Sequence, residues 1–397
     1  MNILFVNEIP MNPTCGGIER VSDILSKELI RRGYNVVYLC ARSDENQLNY
    51  SFPALQLTLP FDGAFENSKN ISFYTEVLTK YKIDIVINQR GWAPFMNKVL
   101  GCNGTKVISV IHTIPTGSHI MYMNGILRHN KTFDGIARYL FKLMIYPFYY
   151  AYKYMNSSLK LKSHYRYLVK KSSAVVLLSE KCRHMFDEIV KDVNNSCKTY
   201  SIPNPNVYKN SSMNLSEKEN IILYVGRLCH NEKKPERMLK VWEKIFKIHP
   251  NWEMVFVGDG DAMESMRLYV RENNIDRVKF VGQSVNVEDY YIKSYFICLT
   301  SDFEGWGMTL TEGMSFGCIP FTFNNYGAAS EIIDEGVNGC LIPAFNLKQY
   351  AKRLSDLINH SDERVRMSVA AAKKVQSFNL EKIADLWVEL FERILNS

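Results

Sequence analysis

Short apolar runs alternate with amphipathic stretches along most of the chain. Residues 2–7 read as a strand. In 17–32 the apolar positions Ile18, Val21, Leu25 and Leu29 recur at helical spacing, and Gly33 stops the pattern. Residues 35–40, 84–88, 106–111 and 173–178 are Val/Ile/Leu-rich runs, as expected for parallel strands buried on both faces. The helical stretches between them predict βαβ units. A polar stretch rich in Pro, Asn and Ser, 204–219, interrupts this series. A second series follows it, with strands at 220–225, 252–257, 277–281, 296–300 and 319–323. Helical patterns fill 234–248, 261–273, 286–294 and 308–316, and three more lie at 347–358, 363–375 and 380–395.

The fold class this predicts is α/β, with two Rossmann-like, doubly wound domains facing a cleft. The N-terminal domain covers 1–203, the linker 204–219 and the C-terminal domain 220–375. The helix in 376–397 is expected to pack back toward the N-terminal domain. A hydrophobic fraction of 46% excludes disorder as the main state. The net charge of +7 is local: 138–171 holds eight Lys/Arg and no acid, and without them the chain carries −1. Nine cysteines include no Cys-x-x-Cys pair, which points to buried reduced thiols and a reducing compartment. The longest uncharged aromatic run, 143–152, is half of the ~20 residues a membrane span needs.

Four constellations carry chemistry. In 301–320 a strand runs through a loop into a helix, with Glu304, Gly305, Trp306, Gly307, Met308, Thr309 and Glu312 in order. The two glycines allow positive φ, and the free N–H groups of the helix start can face an anion. Carboxylates on either side suit a ligand with hydroxyls at both ends and phosphate between. After the strand at 220–225 come Gly226, Arg227 and the pair Lys233 and Lys234, cations able to neutralise a leaving diphosphate. Gly16 and Gly17 open the first helix, where the Gly17 N–H can meet phosphate. They do not form Gly-x-Gly-x-x-Gly, so the dinucleotide fingerprint is absent. His112 closes the strand at 106–111, and Gln89 with Arg90 follow the strand at 84–88.

This set resembles family 4 glycosyltransferases of the GT-B superfamily. Glu304 and Glu312 match the family's E-x7-E motif, and 317–320 (Gly-Cys-Ile-Pro) matches its turn into the next strand. The resemblance implies that Glu304 contacts the donor sugar, Glu312 binds the ribose hydroxyls, and Gly305 to Thr309 contact sugar and pyrophosphate. It implies that Arg227 and one Lys, with Lys233 favoured, hold the pyrophosphate. His112 would meet the donor sugar, Gly17 the diphosphate, and Gln89 and Arg90 the acceptor side. The implied activity is a retaining hexosyltransferase that uses a nucleotide sugar, UDP-linked by family frequency. Its acceptor would be a glycan or lipid-linked glycan in cell-surface polysaccharide synthesis, with the donor phosphate taking the acceptor's proton.

No cofactor or metal is expected. Asp259-Gly-Asp261 reads as a helix cap, not a metal motif, and no His/Cys cluster has ligand spacing. Between 138 and 171 ten aromatics accompany the eight cations. This suits an anionic membrane surface and a cytoplasmic, peripheral enzyme at the inner face of the membrane. The alternative is a helical pair whose tyrosines pack inward. Nucleic acid is disfavoured, because no binding module accompanies the patch. Two other functions stay open: a nucleotide-sugar-binding protein without catalysis, and an NAD-dependent oxidoreductase on two α/β domains.

Overall fold

Where an apolar run is long enough to be buried on both faces, it forms a parallel strand. The polar turns between runs set where each strand stops. The structure is a computed structural model. It describes the chain except residues 43–49, 62–64, 66, 94–98, 100, 103, 118–135, 194–196, 209–213, 285 and 397, and the side chains of 136–150. Two compact units emerge, one of residues 1–203 with 384–397 and the other of 204–383.

The first unit runs β1 (Asn2–Asn7), α1 (Gly17–Arg31), β2 (Asn35–Cys40), β3 (Leu55–Thr58), α2 (Ser68–Lys80), β4 (Ile85–Asn88) and β5 (Lys106–Ile111). It continues through α3 (Ile136–Lys171), β6 (Ala174–Leu177), α4 (Glu180–Val190) and β7 (Lys198–Ser201). Its seven strands stand in the order β3-β2-β1-β4-β5-β6-β7, and every pairing is parallel. Ile3, Leu4, Phe5, Val6, Ile85, Val86 and Ile87 have no exposed surface. Each such side chain contributes about 1.5–3 kcal/mol on burial. Helix starts are capped locally: Asn67 accepts from the Lys69 amide below α2, and Ser179 from the Cys182 amide below α4.

The second unit holds β8 (Glu219–Val225), α5 (Glu236–Trp242), β9 (Glu253–Val257), α6 (Met263–Glu272), β10 (Val278–Gly282), α7 (Glu288–Lys293) and β11 (Ser294–Cys298). Then come α8 (Met308–Ser315), β12 (Ile319–Phe323), α9 (Ala329–Ile332), β13 (Cys340–Ile342), α10 (Leu347–Asn359) and α11 (Ser361–Lys374). Six strands lie in the order β10-β9-β8-β11-β12-β13, again all parallel. The last helix, α12 (Leu380–Leu395), crosses the unit boundary. From Ala384 onward it belongs to the first unit, where Asp385 meets Arg32 at 2.6 Å and Phe391 packs edge-on to Tyr34.

In both sheets the order reverses between the first strand and the fourth. In open α/β sheets such a switch point is where ligands bind, at the carboxyl ends of the strands. In the first unit these are the ends of β1 and β4; in the second, those of β8 and β11.

Some elements differ from the sequence reading. The helix expected over 234–248 is regular only as α5, and beyond Trp242 the chain tightens into i→i−3 bonds such as Ile245 N to Trp242 O. Pro250 lies just ahead and keeps the residue before it from continuing a helix. The edge strands β3 and β7 and the helix α4 were not expected, nor were the short α9 and β13. The two edge strands are short and half-buried, so polar residues such as Gln56, Thr58, Lys198 and Ser201 dilute their apolar signal. The basic stretch is one 36-residue helix, α3, not a helical pair, with Lys170 and Lys171 in its last turn where the helix dipole favours cations. Among the described residues no helix is long and apolar enough to cross a membrane. Cys40, Cys182, Cys298, Cys318 and Cys340 are buried, and no two of the nine cysteines are joined as a disulfide.

Candidate functional site

At the second switch point the loops after β8 and β11 are stitched together. The Asp302 amide donates to the Glu232 carbonyl at 2.7 Å, and Thr300 Oγ1 donates to the Lys234 carbonyl at 2.9 Å. Arg237, from the start of α5, donates to the Thr300 carbonyl and pairs with Asp302 at 2.6 Å. Asn325 donates to the carbonyls of Ser301 and Asp302. The β11 loop is thus held on both sides before any ligand arrives.

That frame brings the predicted residues together. Lys233 Nζ sits 2.7 and 2.8 Å from the two oxygens of Glu304, and Ser301 Oγ donates to Glu304 Oε1 at 2.6 Å. Glu304 is 8% exposed, so this carboxylate is largely taken out of water and needs those partners. Arg227 pairs with Glu232 and keeps its guanidinium 70% exposed. Each expected diphosphate cation therefore already has a carboxylate partner. The choice between Lys233 and Lys234 is also informed: Lys233 reaches Glu304, while Lys234 makes a left-handed turn at φ 50°.

Gly307 is the N-cap of α8 at φ 93°, a conformation that costs a residue with Cβ roughly 1 kcal/mol or more. A Cβ there would also stand 3.1 Å from the Tyr326 hydroxyl. Met308 and Thr309 form the first turn of α8, which carries no acid, so nothing in its own sequence neutralises its positive end. Gly305 does not share the left-handed geometry expected of it; only Gly307 does. Trp306 is buried edge-on against Phe378. Glu312, 1% exposed, lies a turn into α8 and accepts from the Tyr291 hydroxyl at 2.8 Å.

The capping role expected for Asp259 and Asp261 is not what they do. The N-cap of α6 is Ala262, without a side-chain bond. Asp261 instead accepts from the His230 amide at 3.1 Å, and Asp259 from Gly260, so both shape the neighbouring loops. Asn338 builds its own turn, accepting from the Asp334 amide and donating to the Ile332 carbonyl.

The first switch point has different chemistry. Gly17 begins α1, as expected, but the first turn also contains Glu19, 3% exposed. A Cβ at Gly16 would meet Glu19 Oε2 at 2.7 Å, so this carboxylate lies against the helix tip. Its Oε1 accepts from Asn7 at 3.0 Å and from Arg90 at 3.2 Å, and Arg90 also donates to Asn7 Oδ1 at 2.9 Å. Next to this closed cluster, His112 Nε2 lies 2.5 Å from Gln89 Oε1. An amide oxygen only accepts, so Nε2 carries the proton and Nδ1 is left as the acceptor. Burial, and secondarily the Arg90 cation, hold the His112 pKa down to about 3. The ring is a neutral hydrogen-bonding group at ordinary pH.

Sequence reasoning missed Asn7, Ser301, Tyr291 and Tyr326, and gave Glu19 no role. Only Ser301, three residues before Glu304, had a local signal.

Comparison with known proteins adds the family. A model described as Glycosyltransferase Family 4 matches residues 15–205, and one described as Glycosyl transferases group 1 matches 209–374. The chain belongs to the family 4 glycosyltransferases. The chain is 31% identical over 216 residues to an uncharacterized glycosyltransferase of Haemophilus influenzae, covering 54% of the chain and 59% of that protein. It is 29% identical over 253 residues to a Campylobacter jejuni enzyme, covering 64% of the chain and 62% of the enzyme. That enzyme is an α-1,4-N-acetyl-D-galactosaminyltransferase named for a GalNAc-containing PP-undecaprenol substrate. The match thus spans under two thirds of either relative.

Among solved structures, Anabaena HepE in complex with UDP and glucose superposes with TM-score 0.71 at 16% identity, covering 99% of this chain and 100% of that one. The pneumococcal O-GlcNAc transferase GtfA, solved with UDP and GlcNAc, gives 0.71 at 12% identity over 100% and 99% of the two chains. At such identities the likeness carries the GT-B fold.

Proposed function

We propose that this glycosyltransferase moves a sugar from a UDP-sugar to a glycan or lipid-linked acceptor in cell-surface polysaccharide synthesis, retaining the anomeric configuration. The observation that carries this reading is the tip of α8, a left-handed glycine cap with no acid in its first turn, between buried Glu304 and Glu312. The diphosphate takes the amides of Gly307 to Thr309 together with Arg227 and Lys233. On its arrival the two cations exchange Glu232 and Glu304 for phosphate oxygens. Glu304 then accepts from sugar hydroxyls and Glu312 from the ribose. As the glycosidic bond breaks, Arg227 and Lys233 stabilise the charge that builds on the leaving diphosphate. They supply that charge without a metal ion, so EDTA leaves turnover unchanged. His112, through Nδ1, accepts from a sugar hydroxyl, and Gln89 and Arg90 belong to the acceptor side.

UDP is supported by the UDP complexes of HepE and GtfA, and a lipid-linked acceptor by the undecaprenol substrate in the Campylobacter enzyme's name. A peripheral place on the inner face of the membrane is supported by α3. Its described half exposes Tyr152, Tyr154, Met155 and Leu159 beside Lys160. Flotation with anionic liposomes and not with neutral ones is expected; equal recovery with both contradicts it.

The test of the activity is incubation with a panel of nucleotide sugars, following nucleotide release, beside thermal shifts with UDP, GDP, ADP and NAD. UDP is expected to raise the melting temperature and a UDP-sugar to release UDP slowly. Stabilisation by NAD alone would overturn the proposal.

A further inference from the structure

Tyr291 is the last but two residue of α7, and its side chain is fully buried. Its backbone is pinned: the carbonyl accepts from Lys218 Nζ at 2.9 Å and from Cys318 Sγ at 3.1 Å. Its ring is pinned as well, parallel to Phe316 with centroids 6.1 Å apart and edge-on to Tyr208 at 6.1 Å. Held on backbone and ring, the hydroxyl has little freedom, and it donates to Glu312 Oε2 at 2.8 Å. Glu312 itself has 1% exposure, so water contributes little to orienting its carboxylate. The donor comes from 21 residues away in sequence, and neither Tyr291 nor Lys218 belongs to the 301–320 segment, whose closing turn carries Cys318.

We propose that Tyr291 is a positioning residue for recognition of the nucleotide's ribose: its hydroxyl fixes the rotamer in which Glu312 accepts the ribose hydroxyls. The inference rests on the reading of Glu312 as the ribose contact. A residue that merely supports the fold affects all ligands of the site alike. A residue that aims one carboxylate affects only ligands bearing the hydroxyls that carboxylate accepts.

The experiment is titration calorimetry of the full chain with UDP and with 2′,3′-dideoxy-UDP. Wild type is expected to bind UDP more tightly. Tyr291→Phe keeps the ring stacking, and it is expected to weaken UDP about tenfold while leaving dideoxy-UDP unchanged, as for loss of one hydrogen bond to a charged group. In a Glu312→Gln background the same change is expected to have no further effect on UDP. A second variant, 4-aminophenylalanine at 291, restores a donor and should restore the wild-type preference, which keeps the test open if the Phe variant does not fold. Equal weakening of both nucleotides, no weakening of either, or loss of the preference in the amino variant overturns the role of Tyr291. Wild type binding both nucleotides equally overturns the ribose reading of Glu312, and the inference with it.

Discussion

Both units place a glycine-led helix start at the switch point of their sheet, after the first strand in one and after the fourth in the other, and treat it in opposite ways. Beyond β1, the tip of α1 is met by its own Glu19, which is closed in turn by Asn7 and Arg90. Beyond β11, the tip of α8 has no first-turn acid, and its flanking carboxylates are paired with Lys233 and Tyr291. Topology supplies a place for an anion in both sheets. Side chains set the difference: the first tip is met by its own Glu19, and the second carries no acid in its first turn.

The comparison can be broken most forcefully at Glu19. Glu19→Ala leaves the mostly buried Arg90 without its nearest carboxylate and is expected to cost about 3 kcal/mol of stability, read by denaturant unfolding. The folded fraction should keep its UDP affinity. A large loss of UDP binding would mean that the first tip, too, serves the ligand.

Next in size, Arg227→Ala is expected to lower kcat by about 10²–10³ with little change in melting temperature, since its guanidinium is largely exposed and its loss is felt where leaving-group charge develops. Steady-state kinetics with the donor found by the nucleotide-sugar panel checks this. A kcat within a few-fold of wild type would take Arg227 out of the chemistry.

Gly307→Ala sharpens the same contrast. It combines a φ of 93° with a 3.1 Å approach to Tyr326, and is expected to weaken UDP about tenfold. Gly33→Ala, strained at φ 89° in the other unit with open space around it, should cost stability and leave UDP affinity alone. Calorimetry on both variants separates backbone strain from loss of the anion site.

The smallest effect is an absence of change. With its pKa near 3, His112 takes up no proton between pH 5 and 8, and its ring NMR signals should stay flat there. The unfolded chain takes up that proton near pH 6.5, so the site's contribution to stability is present above about 6.5 and is lost as pH falls toward 3. An imidazole shift titrating near 6.5 would contradict the burial.

Much of this was legible in the sequence. Continuous apolar runs marked most central strands, and the Glu304–Glu312 spacing with Gly307 marked the α8 tip. The edge strands β3 and β7 were not legible, because half-burial and polar residues leave too few apolar positions to set a period, whereas Val278, Phe280 and Val281 marked the edge strand β10. The partners of the site were hidden for a different reason. Arg90 meets Glu19 across 71 positions and Lys233 meets Glu304 across 71, distances over which local pattern carries no information. The same limit hid Tyr291. It also hid the contact of Glu19 with the Gly16–Gly17 turn, because Glu19's inward turn involves Arg90.

A crystal structure of the UDP complex decides where the diphosphate sits. Its oxygens are expected about 3 Å from the amides of Gly307 to Thr309, with Arg227 and Lys233 turned from their carboxylates to phosphate and the ribose on Glu312. Diphosphate seated instead at Gly17, with Glu304 still holding Lys233, would contradict this placement.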